Sequence, residues 1–266
     1  MLTLLKRAWA RSTENTISLT AAGIAYFAFL AMVPLLAVAV LIYGLVAEPA
    51  TVARHVAVLA SNLPASAADL VGEQLRSVVE GSKGAKGLGL LTAFAVSLFS
   101  ARSGAGSIIT ALNVAFCADE TRNILKFNLV AILLTIGALV AFGVSAFAIA
   151  ATSALGGIAA SIAAFALLGA TGFGGAALAY RVAPHRRQPP RWPALWPGAL
   201  LFAIGWLIAT SAFGYYSANF ANYNATYGSL GAVIVLLTWL YLSAFLFLFG
   251  AELNAARERH AEGSQG

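Results

Sequence analysis

The residues that could do chemistry in this chain of 266 begin with Arg102, in the stretch LFSARSGAGSI that covers positions 98 to 108. It lies near the middle of an apolar run from Leu88 to Phe116, flanked by Ser100, Ser103 and Ser107 and by Gly104 and Gly106. A charge at the centre of a bilayer costs about 2.5 to 3.5 kcal/mol on insertion scales, so it needs a partner, a route to water or a function. Two readings are open. In one, Arg102 is a clamp paired with Glu252 or with helix-end carbonyls, and Asn113, Asn128 and Asn254 supply further polar partners at similar depth. In the other it lines a polar cavity, where a guanidinium fork suits a phosphate or carboxylate. The candidate substrate-binding residues of that second reading are Arg102, Ser100, Ser103, Asn113 and Glu252.

Acid–base and metal chemistry are poorly supplied. The histidines are His55, His185 and His260, and the acids expected on the cytoplasmic side (Glu14, Asp119, Glu120, Glu252, Glu258 and Glu262) are scattered without ligand spacing. Nucleases need clustered carboxylates or histidines for a metal, or a positioned acid and base. We therefore expect no catalytic residue, no metal, no cofactor and no enzyme activity. The single cysteine, Cys117, cannot form an intrachain disulfide. The loop YRVAPHRRQPPRWP, residues 180–193, holds Arg181, Arg186, Arg187 and Arg191. Such a loop can meet nucleic acid through phosphates alone, but a cytoplasmic loop beside anionic headgroups has the same composition. We read these arginines as headgroup contacts and expect no nucleic-acid partner.

The elements that position these residues are dictated by composition. The chain is 60% hydrophobic and 10% charged, against about 25% charged in soluble domains, which makes it an integral membrane protein. A spanning helix takes about 20 apolar residues, and six stretches qualify: 19–46, 88–116, 127–152, 156–180, 194–215 and 229–251. With the N-terminus inside, eleven Lys and Arg fall on the inner side and four on the outer, all four in the loop 47–87. That asymmetry puts both termini in the cytoplasm. By the same arithmetic Arg102 sits roughly 21 Å into its helix, on the cytoplasmic half.

We expect a single all-α membrane domain over 1–266: a cytoplasmic N-terminus to 18, a bundle over 19–253 and a cytoplasmic tail over 254–266. Within the outer loop, Ser66 and Asp69 fit a capping box ahead of an amphipathic helix through Leu70, Leu75 and Val79, either packed on the bundle rim or acting as a lid. Pro34 should kink the first helix. Gly156, Ala160 and Ala164, then Ala170 and Gly174, predict close packing of the fourth. Trp192 and Trp196 should mark the inner interface, and the uncharged YYSANFANYNATYG from Tyr215 either an outer aromatic belt or a neutral binding lip.

Taken in order, LTAAGIAYFAFLAMVPLL from Leu19, SARSGAGSIITALNVAF from Ser100 with the following ETRNILKFNL, and the tail from Trp196 containing YGSLGAVIVLLTWLYL and GAELN resemble the YihY / virulence factor BrkB family, formerly labelled ribonuclease BN. The resemblance covers essentially the whole membrane domain. It implies a six-helix bacterial inner-membrane protein linked to serum resistance and to envelope lipid or solute export, and it brings no catalytic residues. FLAMVP stands where many members have a more serine-rich turn before the proline. The expectation is a protein that moves, or helps to move, an anionic amphiphile such as a lipid or lipid precursor. Membrane lipids are then its partners, with envelope proteins as further ones. The alternative is a non-transporting scaffold that organises the envelope, and a membrane-embedded enzyme acting on lipids is a third reading, weakened by the absence of paired acids.

Overall fold

The computed structural model describes residues 2–46, 92, 99, 102–155, 157–186, 190–220 and 229–262. Every regular element among them is a helix: α1 (Leu2–Glu14), α2 (Ile17–Val46), α3 (102–115), α4 (Ile124–Leu155), α5 (Gly157–Val182), α6 (Trp192–Phe220) and α7 (Ser229–Glu262). The chain divides into two compact units, Met1–Tyr26 together with Arg102–Gly266, and Phe27–Ala101. The polar networks and close helix crossings all belong to the first. Ser100, Gly156, Arg187, His55, the expected helix in loop 47–87 and the outer connection over 221–228 lie outside the described residues.

Among the described residues four stretches are long and apolar enough to cross a membrane: Ile124–Ser145, Gly157–Val182, Trp192–Tyr216 and Val233–His260, with Ile17–Ala31 a shorter apolar helix. Their surfaces are those of a protein solvated by hydrocarbon. Along α4, Leu129, Leu133, Ile136, Val140 and Val144 are exposed at helical spacing, and Leu200, Ile204 and Ile208 form the matching row on α6. The interior is built instead from alanines such as Ala131, Ala176, Ala199, Ala244 and Ala251. In lipid, where no hydrophobic effect draws helices together, small residues permit the backbone approach that packing needs. Trp206 Nε1 donates to Ser243 Oγ and Trp239 Nε1 to Thr210 Oγ1, both at 3.2 Å, so α6 and α7 also satisfy each other's polar groups.

Several boundaries have local causes. Asn123 caps α4, its Oδ1 accepting from the Lys126 N–H at 2.9 Å, which starts the helix ahead of the expected 127. Cys117, with φ +50°, takes the left-handed conformation that closes α3, and Thr16, with φ +49°, makes the bend between α1 and α2. α2 is one continuous helix through position 34. α7 runs unbroken to Glu262, so residues 254–262, expected as a tail, are helical, and Asn254, Ala255 and Ala256 are buried.

α5 packs closely on α6 through Gly169, where a Cβ would lie 3.1 Å from Leu207, and Ala160 of the expected ladder is buried, but the tightest approach falls elsewhere. Gly174 has nothing within 4 Å of where a Cβ would stand, whereas a Cβ on Gly198 would collide with the Gly250 carbonyl oxygen. A Cβ on Gly250 would meet Gly198 O at 2.5 Å and the Tyr180 hydroxyl at 2.6 Å. The tightest crossing is therefore α6 on α7, with Tyr180 of α5 against it.

Candidate functional site

Polar groups gather at one end of the bundle, where α1, the 116–123 connection, residues 183–186 and 190–191 and the end of α7 meet. At its centre the Glu252 carboxylate is fully buried. Arg11 Nε donates to Glu252 Oε2 at 3.2 Å, and Asn15 Nδ2 donates to Oε1. A buried carboxylate holds its charge only when paired and hydrogen-bonded, so α1 is tied to α7 by the requirement of this one group. α1 carries the pattern that such docking needs: Ala8 and Ser12 are buried on one stripe, and Trp9 packs edge-on against Phe245 and Phe249. The expected pairing of Arg102 with Glu252 is not made. Glu252 faces α1, a helix that the spanning pattern did not reveal.

One turn of α7 serves the next crossing. Asn254 Oδ1 accepts from the Gly198 N–H at 2.7 Å while its Nδ2 donates to Leu195 O at 2.9 Å, all within the interior. Pro197 lies inside α6 beside this contact, and Tyr180 Oη donates to Phe247 O at 2.6 Å. Asn254 thus bridges two backbone groups in the first two turns of α6, on either side of Pro197, and satisfies its own buried amide in doing so.

Asn113, at the end of α3, is structural in its contacts. Its Nδ2 donates to Glu120 Oε2 at 2.7 Å and its Oδ1 accepts from the His185 N–H at 2.7 Å. Arg122 joins the same cluster: Nε donates to His185 Nδ1 at 3.1 Å, Nη2 donates to Ala183 O, and Glu120 Oε1 stands 3.3 Å from Nε. Because arginine only donates, His185 Nδ1 must accept. The imidazole proton then sits on Nε2, facing the Thr121 hydroxyl at 2.8 Å. Cys117 lies between two guanidiniums, 3.1 Å from Arg259 Nη1 and 3.7 Å from Arg11 Nη2.

The four arginines read as headgroup contacts fare differently. Arg186 makes a two-pronged pair with Glu258 and lies 4.7 Å over the Phe116 ring. Arg181 stacks 4.6 Å over Trp192 and donates to Pro190 O at 3.1 Å. Arg191 is exposed at the start of α6, next to the exposed Trp192 and close to Trp196, an arrangement suited to a headgroup layer.

Arg102 stands apart from all of these. Its Nε and Nη2 both donate to Asn128 Oδ1, at 3.0 and 2.8 Å, which ties α3 to the second turn of α4. Gly106 leaves room there for the Phe127 ring, 3.5 Å from where its Cβ would be. Among the described residues no carboxylate pairs with Arg102, and its single amide partner carries no charge to offset the guanidinium's. Ser103 lies half-buried beside it. Of the five candidate binding residues, the structure places Asn113 and Glu252 in separate networks, leaving Arg102 and Ser103 together. The partner Asn128 was legible by depth, while Arg11 and Asn15 were signalled only by the apolar stripe of α1.

Among the described residues no group of three His, Cys, Asp or Glu could hold a metal ion.

The sequence pattern of the family described as Virulence factor BrkB matches residues 8–266. A ribonuclease-like protein of Bacillus subtilis (strain 168), YfkH, is 30% identical over 268 residues, covering 96% of this chain and 94% of its own. A UPF0761 membrane protein of Psychromonas ingrahamii is 29% identical, covering 94% of this chain and 86% of its own. The UPF0761 membrane protein NTHI0384 of Haemophilus influenzae is 27% identical over 96% and 94% respectively. No solved structure matches.

Proposed function

The chain belongs to the Virulence factor BrkB family, and from that premise we propose that this integral membrane protein binds and moves, or helps to move, an anionic amphiphile such as a lipid or lipid precursor. In this reading it crosses the inner membrane six times with both termini in the cytoplasm, so that the polar end of the bundle meets the cytoplasmic leaflet.

The observation that carries the reading is Arg102 on Asn128. A guanidinium in an apolar helix is held in place by a neutral amide, so its positive charge is left for an anion to complete. An ion pair with Glu252 would have closed that possibility. The fork geometry suits a phosphate, and in low dielectric such a contact is strong. Arg191 with Trp192 and Trp196 would bring anionic headgroups to the same leaflet.

We read the protein as non-enzymatic. The relative YfkH is named ribonuclease-like; what supports the non-enzymatic reading is that Glu252 is met by Arg11, Glu258 by Arg186 and His185 by Arg122. A second reading, a non-transporting scaffold, draws on the closure of the polar end by the buried Glu252. Thermal unfolding of the purified protein with phosphatidylglycerol or phosphatidylcholine separates the two. We expect phosphatidylglycerol to raise the melting temperature of the wild type, R102A to fold but lose that rise, and R102K to keep part of it through its charge. An equal rise in wild type and R102A, or none in the wild type, overturns the anionic-ligand reading and leaves the scaffold.

A further inference from the structure

Both histidines among the described residues accept from an arginine of a distant segment. Arg7 Nη1 lies 3.2 Å from His260 Nδ1, joining α1 to the end of α7, and Arg122 Nε donates to His185 Nδ1 at 3.1 Å, joining the 116–123 connection to the residues after α5. Arginine only donates, so each contact exists only while that ring nitrogen is bare. Histidine is the side chain whose charge ordinarily changes between about pH 5 and 8. A proton added at Nδ1 would set two donors and two cations face to face.

His260 is exposed, where water relieves such a conflict, but His185 is held on every side. Its backbone N–H donates to Asn113 Oδ1 at 2.7 Å and its Nε2 faces the Thr121 hydroxyl at 2.8 Å. The buried Pro184 and the bond from Ala183 N to Ala179 O, at 2.9 Å, fix its backbone to the end of α5. Its partner Arg122 has a side chain 8% exposed, with Nη2 on Ala183 O and a buried Nη1 that has no partner among the described residues.

The carboxylates around the ring are committed or solvated. Glu120 Oε1 accepts from the Arg122 backbone N–H and stands 3.3 Å from Arg122 Nε, while its Oε2 accepts from Asn113 Nδ2. Glu258 of α7 is held by Arg186, the residue after His185, and Arg259 of α7, on Cys117, adds a further positive charge. Asp119 is exposed, where solvent and salt screen it. A charged His185 can gain a carboxylate from this cluster only by drawing Glu120 away from Arg122, which also takes the cluster apart.

We propose that His185 and Arg122 form an acid-released latch between the α3–α4 and α5–α6 connections, closed while His185 is neutral and opened by its protonation. The connection it releases joins α3, which carries Arg102, to α4, which carries Asn128. The latch contains neither of those residues and does not rest on the anionic-amphiphile reading.

The experiment follows hydrogen–deuterium exchange of the full-length protein in detergent at about pH 7.5 and about pH 5.5, which spans most of the range in which imidazole titrates. Rates are corrected for the intrinsic effect of pH on amide exchange, and segments 113–123 and 181–186 are read against 195–205 of α6. In the wild type, exchange of the two connections should rise at least about fivefold at the lower pH while the α6 segment is unchanged. H185N places an amide oxygen near the position of Nδ1 and does not titrate, so its connections should stay protected at both values. R122Q keeps the imidazole but removes the positive charge that a protonated ring would meet, and should reduce the response to less than about twofold. Circular dichroism and the α6 segment report that each variant is folded. A flat wild-type response, a rise that includes the α6 segment, or a full rise retained by either variant, as titration of Glu120 or Glu258 would give, overturns the proposal.

Discussion

Glu252 and Arg102 are both charges within apolar helices, and the structure answers them differently. Glu252 receives a guanidinium from α1 and an amide proton from Asn15 in the bend after it and is closed to solvent, while Arg102 meets one neutral carbonyl oxygen of Asn128. The two therefore respond differently to mutation. R11A leaves the buried carboxylate with Asn15 as its remaining described donor and should destabilise the protein by about 1–3 kcal/mol. E252Q placed in the R11A background should recover part of that loss, because a neutral amide does not need a guanidinium. Thermal unfolding of the two single variants and the double one measures this coupling, and strictly additive effects would show that the pair is not energetically linked. R102A should cost little beyond its two hydrogen bonds, since its removal strands no opposite charge.

Among the elements, the α6–α7 crossing is set by Gly198, Gly250 and Asn254. Any side chain at either glycine must push apart two backbones already in contact, so G198A and G250A should each destabilise by about 1–3 kcal/mol, the usual cost of overpacking. G174A is the matched control: nothing lies within 4 Å of the added methyl, and alanine is the better helix former by about 1 kcal/mol, so it should be neutral or stabilising. Melting temperatures of the three variants in one detergent decide the matter. A loss in G174A equal to that in G198A would move the close approach back to the α5 ladder. The spacing of small residues located helices that pack closely, but it could not say which glycine faces a neighbour. That depends on helix rotation, which is fixed by Tyr180, Asn254 and Leu246 acting from other helices.

For the molecule as a body in the bilayer, the exposed apolar rows and the gathering of arginines at one end support an orientation with that end in the cytoplasm. The proposal is checked with an impermeant maleimide in intact cells, using single cysteines in a C117S background. Lys83→Cys, in the proposed outer loop, should label directly, whereas Arg191→Cys should label only after permeabilisation. Labelling of Arg191→Cys from outside would invert the topology and remove the cytoplasmic placement of the polar end.

The all-helical membrane class, most of the helices and the presence of one charge, Arg102, inside an apolar run were legible in the order of residues alone, because hydrocarbon demands long apolar helices and makes any charge within one conspicuous. So was Asn128, as one of several partners within reach. Packing in three dimensions was needed to settle that α1 docks on α7, that Glu252 answers Arg11 rather than Arg102, and that Gly198 and Gly250 form the close crossing. These three outcomes are pairings between residues distant in the chain. Periodicity reports which face of a helix is apolar, but the identity of the residue across a polar contact depends on the rotation and depth of both helices, and those are fixed only when all of them pack together.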